Sequence, residues 1–178
     1  MTISELYKLF LKFPLISTDS RDVKPGSIFF SLKGENFNGN MFAAEAISKG
    51  AAIAIVDDKK YCLDNQYVLV DNTLKVLQDL ATYHREKLLI PVIGITGTNG
   101  KTTTKELINS VLQTKYKTVS TFGNFNNHIG VPLTILSCTP DTEIAIIEMG
   151  ANHPGEIAEL CNIAKPDFGI ITNIGKAH

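Results

Sequence analysis

The sequence has no excess of charge of either sign, since 17 lysine and arginine residues stand against 18 aspartate and glutamate residues in a chain of 178. It therefore does not indicate a nucleic-acid surface, and no block of like charges predicts a disordered tail. Cysteine is also scarce: Cys62, Cys138 and Cys161 lie far apart, are odd in number and form no C-x-x-C pair. We expect reduced thiols in a cytoplasmic protein, with no disulfide framework.

Long apolar runs are missing as well. The N-terminus places Glu5, Lys8 and Lys12 among its apolar residues, so it lacks the apolar run of a signal peptide. Apolar stretches such as residues 88–95 fall far short of the roughly 20 residues that a membrane-spanning helix needs. With 44% hydrophobic residues the chain can still form a core. We expect a monomer with no membrane and no nucleic-acid partner.

The apolar pattern changes near Pro91 and indicates two domains. After this point short apolar strands alternate with helices, which predicts a parallel sheet covered on both faces. The predicted elements here are strands at 92–96, 118–120, 144–147 and 168–172, and helices at 101–114 and 154–164, the second capped by Asn152 or His153. Strands and helices before this point predict a smaller α/β domain. We therefore expect an α/β protein with domains at residues 1–88 and 89–178.

A glycine-rich turn between the strand at 92–96 and the next helix predicts a phosphate-binding loop. The glycines let successive backbone N–H groups point at one anion, and the helix adds its positive N-terminal end. In this interpretation Lys101 reaches the β- and γ-phosphates of ATP, and the hydroxyl of Thr102 binds magnesium. The residues of the predicted nucleotide site are Gly97, Thr98, Asn99, Gly100, Lys101, Thr102 and Thr103.

The loop departs from the standard pattern G-x-x-x-x-G-K-[ST] at one position. The pattern requires glycine where this chain has Ile95, while Gly94 comes one residue early and Gly97 two residues late. We therefore interpret it as a shorter variant of the loop. The alternative is a helix N-terminus with a chance Gly-Lys-Thr, and the strand-loop-helix context argues against it.

Polar residues follow the predicted strands at their carboxyl ends, where open parallel sheets bind ligands. Glu148 comes directly after the strand at 144–147, which suits a magnesium ligand held on a rigid strand. The alternative for Glu148 is an ordinary exposed acid at a strand end. His178 follows the strand at 168–172, but it is the last residue, and terminal residues are often disordered. Its functional role stays open on pattern alone.

Two polar clusters also leave their roles open. Asp19-Ser20-Arg21 either anchors an anionic or nucleotide substrate or simply makes a turn. Segment 123–128 either binds substrate through its amides or satisfies the backbone of a loop. Among the histidines, we expect His84 to pack on its helix, and no role is assigned to His128.

Together these motifs resemble the Mur ligase family, and most closely its branch that adds D-alanyl-D-alanine to UDP-N-acetylmuramoyl-tripeptide. The family's variant phosphate loop has the form T-G-T-N-G-K-T, as at 96–102 here, which accounts for the missing glycine. Segments 101–106, 123–133, 148–157 and 172–178 agree with that branch, and 19–21 and 25–29 match the region that contacts the UDP-sugar. The family usually has Asp-Gly-His where this chain has Asn38-Gly39-Asn40, so no role is carried over there.

The resemblance implies roles by position. Lys101 and the loop amides hold the phosphates of ATP, Thr102 and Glu148 bind a first Mg²⁺, and His178 helps to bind a second. Lys101, Glu148 and His178 are thereby implied in catalysis. The implied contacts to the UDP-muramoyl tripeptide are Ser20, Arg21, Asn126 and Asn127.

The implied reaction is ATP-dependent ligation through an acyl phosphate. Members of the family are much longer than this chain, so we expect a fragment, with an N-terminal substrate domain and an incomplete ATP-binding domain, that alone has little or no ligase activity. One alternative is another ligase of the superfamily, such as a diaminopimelate-adding or folylpolyglutamate ligase, against which residues 126–127 and 148–150 argue. A second is a binding module without catalysis. A generic P-loop kinase would not explain residues 123–133.

Overall fold

The computed structural model describes residues 1–34 and 36–175, and its contacts divide the chain into two compact units, Met1–Leu80 and Ala81–His178. The division falls inside one helix, Thr73–Lys87. The domain boundary near residue 88 stays a prediction, because a compact unit and a functional domain need not end at the same residue. In the described ranges, no helix combines the length and the apolar content that crossing a membrane requires.

The first unit is an α/β arrangement on a parallel sheet. Its strands are β1 (Ile16–Ser17), β2 (Ile28–Phe30), β3 (Lys33–Gly34), β4 (Phe37–Asn38), β5 (Ile53–Val56) and β6 (Tyr67–Leu69). The sheet has the order β1-β2-β5-β6 with all pairs parallel, and β3 and β4 form a short antiparallel hairpin. The two central strands β2 and β5 are apolar throughout and almost fully buried, as expected for a sheet packed on both faces.

The helices of this unit begin where the sequence supplies caps. They are α1 (Ile3–Lys12), α2 (Ala43–Ser48) and α3 (Thr73–Lys87), with 3-10 turns at Gly39–Phe42 and Lys59–Tyr61. At the start of α1, the Thr2 hydroxyl accepts from the Glu5 N–H, and the Glu5 carboxylate accepts from the Thr2 N–H at 2.7 Å. Asn72 accepts from the Lys75 N–H at 2.8 Å and caps α3.

A buried carboxylate, Asp57, ties the carboxyl end of β5 to its neighbours. One of its oxygens accepts from Lys33 Nζ at 2.8 Å and from Asn40 Nδ2 at 2.7 Å. The other accepts from the Thr73 hydroxyl at 3.3 Å, at the first residue of α3. Burial alone would raise the pKa of Asp57, but the bonds from Lys33, Asn40 and the Thr73 backbone outweigh burial and lower it below its ordinary value.

The second unit contains the predicted parallel sheet. Its elements in chain order are β7 (Val92–Thr96), α4 (Lys101–Leu112), β8 (Thr118–Ser120), α5 (Gly130–Leu136), β9 (Ile144–Glu148), α6 (Glu156–Ala164) and β10 (Phe168–Ile171). The strand order is β10-β7-β9-β8, and every pair is parallel. Right-handed crossovers put α4 on one face of the sheet and α5 and α6 on the other. In agreement, α5 and α6 contact each other, so the predicted α/β class and parallel sheet are confirmed.

The start of α6 corrects the sequence prediction. We expected a helix from Pro154 with Asn152 or His153 as its cap. The helix begins instead at Glu156, after Gly155 at φ +93°. The reason is that the Glu156 carboxylate accepts from the N–H groups of Asn152 at 2.6 Å and His153 at 3.1 Å, which holds both residues in the turn before the helix. These bonds, that from Asn152 first, lower the pKa of Glu156.

Side chains near the end of α3 are buried in the second unit. The Arg85 guanidinium donates to the carbonyls of Ala164 at 3.0 Å and Lys165 at 2.9 Å, which fixes the end of α6. His84 is buried on its helix, as expected, and its Nε2 lies 3.0 Å from the Cys138 carbonyl oxygen. Burial lowers the pKa of His84 and raises the pKa of Cys138 to about 12. All three cysteines are free, as the sequence predicts.

Replacing Asp57 with asparagine tests the role of its carboxylate. The pKa is lower in the folded chain than in the unfolded one, so the ionised group stabilises the fold above about pH 4, and that stability is lost as the pH falls through the folded pKa. We expect Asp57→Asn to lower the free energy of unfolding at pH 7 by about 1–3 kcal/mol and to flatten its loss on acidification. The measurement is urea unfolding from pH 7 to pH 3.

The matched control for this experiment is Asp71→Asn, because Asp71 is an exposed acid on the same unit. We expect the control to unfold like the unmodified chain at every pH. Equal acid sensitivity of Asp57→Asn and the unmodified chain would contradict the role of the Asp57 carboxylate.

Candidate functional site

The predicted phosphate loop connects the end of β7 to the start of α4. Its two glycines have positive φ, +138° at Gly97 and +80° at Gly100, which residues with a side chain rarely adopt. Gly97 is also required by packing, since a Cβ there would overlap the hydroxyl of Thr172. Gly100 is the N-cap of α4 and provides no side-chain cap, so the first N–H groups of the helix point out of its end.

The segment after β10 braces this loop. The Thr172 hydroxyl donates to the Asn99 carbonyl at 2.6 Å. The Asn173 side-chain oxygen accepts from the Asn99 N–H at 2.9 Å, and the Asn173 carbonyl accepts from the Thr98 N–H at 3.2 Å. The N–H groups of Thr98 and Asn99, which the sequence prediction directed at phosphate, therefore have protein partners. The donors that face outward are the first amides of α4.

The side chain of Lys101 folds back over the loop. Its Nζ donates to the carbonyls of Gly97 at 2.7 Å and Thr98 at 3.3 Å. An ammonium group therefore lies beside the free N–H groups at the positive end of α4. Both features favour an anion with several charges, such as a polyphosphate.

Glu148, the last residue of β9, lies against the first turn of α4. Its Oε1 accepts from the Thr102 hydroxyl at 3.2 Å and from Asn126 Nδ2 at 2.8 Å. The side chain is only 1% exposed, so the alternative of an ordinary exposed acid is wrong. Its other oxygen, Oε2, is buried and has no hydrogen-bond partner among residues 1–34 and 36–175.

An unpaired oxygen on a buried carboxylate is unfavourable, because the group loses water without receiving a donor in return. A divalent cation would remove this penalty. A carboxylate and a hydroxyl are oxygen ligands of the kind that Mg²⁺ takes, with water and phosphate oxygens completing its shell. Thr102 and Glu148 therefore fit a magnesium ion. Over residues 1–34 and 36–175, no group of three or more His, Cys, Asp or Glu side chains could hold a metal by itself.

The 121–129 loop joins β8 to α5 and carries the two asparagines that the sequence placed near substrate. The side chain of Asn126 contacts Glu148, and its carbonyl accepts from the Gly150 N–H at 2.8 Å. Asn127 accepts from the N–H groups of Ile129 at 3.0 Å and Gly130 at 2.9 Å. Asn127 thus provides the hydrogen-bond acceptor for backbone N–H groups at the start of α5. The contact of Asn126 with the Glu148 carboxylate was not predicted from the sequence.

A cavity of about 540 Å³ opens beside Lys101. The 121–129 loop and the start of α6 form its walls, with Asn126, His128, His153 and Glu156 among the lining side chains. Sequence patterns indicated no role for His128 and only a capping role for His153. Both histidines line this cavity because the segments that carry them meet at one edge of the sheet. No local pattern in the sequence predicts that meeting.

The remaining predicted site residues are Ser20, Arg21 and His178. Ser20 and Arg21 belong to the first unit, where the Arg21 guanidinium contacts the Asp19 carboxylate at 2.6 Å and the Ser20 carbonyl accepts from Lys49 at 2.8 Å. The hydrogen bond from Arg21 lowers the pKa of Asp19 to about 2. His178 lies outside the described residues.

Two family models match the chain. Residues 12–85 match the model described as Mur ligase family, catalytic domain, and residues 95–178 match the Mur ligase middle domain. Among curated proteins, the UDP-N-acetylmuramoyl-tripeptide--D-alanyl-D-alanine ligase of Bacillus subtilis is 46% identical over 165 residues, which are 92% of this chain and 36% of that protein. The ligase of the same name from Escherichia coli is 37% identical over 163 residues, again 92% and 36%.

Solved structures agree with the sequence matches. The crystal structure of MurF from Acinetobacter baumannii superposes with a TM-score of 0.87 at 36% identity, over 99% of this chain and 42% of that one. MurF from Thermotoga maritima, in complex with ADP, gives a TM-score of 0.84 at 37% identity, over 94% of this chain and 39% of that one. The chain thus spans well under half the length of these relatives, and along that span it belongs to the Mur ligase family.

Proposed function

We propose that this chain is part of an ATP-dependent ligase that joins D-alanyl-D-alanine to UDP-N-acetylmuramoyl-tripeptide in peptidoglycan precursor synthesis. The observation that carries the proposal is the site formed by Lys101, the N-terminus of α4 and Glu148. It supplies an ammonium, free amides and a buried carboxylate at one edge of the sheet. The likeness to relatives named for this activity, over 92% of the chain, supports the substrate assignment.

The residues suit the first half of such a reaction. A carboxylate oxygen of the tripeptide attacks the γ-phosphorus of ATP, the bond from that phosphorus to the β-phosphate oxygen breaks, and an acyl phosphate and ADP result. In this proposal the amides of Lys101, Thr102 and Thr103 orient the phosphates, and Lys101 neutralises charge that moves onto ADP. Magnesium, when bound at Thr102 and Glu148, supplies further positive charge for the phosphate oxygens.

The second half consumes the acyl phosphate. The amine of D-alanyl-D-alanine attacks the acyl carbon, phosphate leaves, and the nitrogen loses a proton to form the new amide. The cavity beside Lys101 is a suitable place for the tripeptide carboxylate, since it reaches the phosphate loop and has polar walls. Ser20 and Arg21 in the first unit remain proposed contacts to the UDP-sugar, and His178 remains a proposed ligand of a second Mg²⁺.

Removing the Lys101 ammonium tests the proposed phosphate site. In a full-length ligase that carries this sequence, we expect Lys101→Met to lower kcat/KM for ATP by at least about a hundredfold, because a charge that stabilises the transition state is lost. Product that depends on both ATP and D-alanyl-D-alanine is the measurement. Lys115→Met, which removes an exposed lysine, is the control and should retain activity. Equal activity of the two variants would contradict the assignment.

Glu148→Gln separates activity from stability. The amide keeps the acceptor for Thr102 and Asn126 but removes a buried charge that has an unpaired oxygen. We expect the free energy of unfolding of the chain without nucleotide to stay the same or to rise by up to about 1 kcal/mol. The measurement is thermal unfolding, in which the midpoint should be equal or higher. In the full-length ligase we expect kcat to fall roughly a hundredfold, with a higher Mg²⁺ requirement.

The control for Glu148→Gln is Glu143→Gln, at the other end of β9, where the carboxylate accepts from the Lys117 N–H at 2.8 Å. We expect the control to leave the Mg²⁺ requirement unchanged. A Glu148→Gln variant with full activity and an unchanged Mg²⁺ requirement would rule out the proposed role of Glu148.

The 178-residue chain itself provides a further test. Because it spans 36% of the length of its curated relatives, we expect it to bind UDP-N-acetylmuramoyl-tripeptide in calorimetry but to form little or no ligated product from ATP. Product formed by this chain alone, at a rate comparable with a full-length relative, would contradict the expectation.

A further inference from the structure

Lys105 is a buried lysine that the proposed reaction does not use. It lies on α4, one helical turn beyond Lys101, and its relative exposure is 0%. Lysine is almost never fully buried without a partner, because removing an ammonium from water is costly. An apolar side chain of similar volume would fill the same space at lower cost. A lysine at this position therefore indicates a specific role for its ammonium group.

The partners of Lys105 belong to α4 and to the 121–129 loop, not to the glycine-rich turn before α4. Its Nζ donates to the Thr121 carbonyl at 2.6 Å and lies 2.8 Å from the carboxylate of Glu106, which is itself mostly exposed. Thr121 is the first residue of the 121–129 loop and is buried. The ammonium thus holds the start of this loop against the middle of α4.

Thr121 in turn holds the backbone of Glu148. Its hydroxyl accepts from the Glu148 N–H at 2.9 Å, and its own N–H donates to the Ile146 carbonyl at 3.0 Å. Farther along the same loop, Asn126 contacts the Glu148 carboxylate. Both ends of this stretch of loop therefore meet Glu148, one at its N–H and the other at its side chain.

We propose that Lys105 is a positioning residue, whose buried ammonium fixes Thr121 and through it the backbone of Glu148 and the start of the 121–129 loop. The inference rests on the proposed function only in that Glu148 serves the reaction. The structural part, a link from Lys105 to the Glu148 N–H through Thr121, stands independently. An apolar residue cannot replace Lys105 in this role, since it has no donor for the Thr121 carbonyl.

Amide hydrogen exchange in the 178-residue chain tests the structural link without any ligand. We expect Lys105→Met and Thr121→Val each to speed exchange of the Glu148 N–H about tenfold, because one removes the anchor of Thr121 and the other removes the acceptor. The Met149 N–H, which donates to the Ile95 carbonyl at 2.8 Å, is the internal reference and should keep its rate.

Two conservative variants complete the test. Thr121→Ser keeps the hydroxyl and should retain slow exchange at Glu148. Glu106→Gln removes the negative charge of the exposed partner of Lys105 but leaves the bond to Thr121, so it should also retain slow exchange. If Lys105→Met leaves the Glu148 rate unchanged, or speeds Met149 equally, Lys105 is only a packing residue and the proposal fails.

Kinetics in a full-length ligase that carries this sequence test the functional part. We expect Lys105→Met to lower kcat about tenfold and to raise the Mg²⁺ requirement, as for Glu148→Gln, since Glu148 is misplaced. Thr121→Val should behave in the same way, and Thr121→Ser should restore kcat. Unchanged kcat in Lys105→Met, with fast exchange at Glu148, would overturn the functional part.

The results distinguish failure of the proposed function from failure of the positioning inference. If Glu148→Gln retains full activity while Lys105→Met still speeds exchange at the Glu148 N–H, the proposed function of the site is wrong and the positioning link holds. If Glu148→Gln loses activity while the exchange rates do not respond to Lys105→Met, the proposed function holds and the positioning inference is wrong.

Discussion

The candidate site depends on one buried carboxylate residue, Glu148, which two other parts of the chain, α4 and the 121–129 loop, hold in place. Glu148 accepts from Thr102 in α4 and from Asn126 in the 121–129 loop, and its N–H donates to Thr121. These contacts require β9 to lie between β7 and β8 in its observed parallel register. A change in that register would move Glu148 away from the first turn of α4. The geometry of the sheet therefore decides whether a phosphate loop and an acid become one site.

The two units use buried carboxylates in different ways. Both oxygens of Asp57 have donors, from Lys33, Asn40 and Thr73, so the group is satisfied within the fold. Glu148 leaves one buried oxygen without a partner in the part of the chain that the structure describes. Since an unsatisfied buried acceptor is costly and a satisfied one is not, the first arrangement is typical of a structural tie. The second arrangement is typical of a ligand-binding site, where a bound cation or donor would satisfy the unpaired oxygen.

The conformation of the predicted phosphate loop depends on the segment after β10 as much as on the loop's own sequence. Thr172 and Asn173, after β10, bind the backbone of Asn99 and Thr98. Gly97 is needed partly for its φ and partly because Thr172 packs where its side chain would be. The N–H groups of Thr98 and Asn99, which the sequence predicts to bind phosphate, thus donate to protein acceptors. The N–H groups at the N-terminal end of α4 remain as donors for an anion.

The sequence by itself determined the strands of the second unit, most of α4 and α6, and the glycine-rich turn between β7 and α4, but it predicted neither α5 nor the start of α6. Alternation of apolar strands with helices predicts a parallel sheet, and glycine before a Gly-Lys-Thr at a helix start predicts an anion site, because both signals are local. Only the tertiary structure decided the burial of Glu148, its contact with Asn126, the bonds of Glu156 to the turn before α6 and the anchoring of Thr121 by Lys105. The contacts of Glu148 and Lys105 join residues that are distant in sequence, and side-chain patterns carry no information on distances across a sheet. The start of α6 depends on which of several local hydrogen bonds forms, and sequence patterns do not settle that choice.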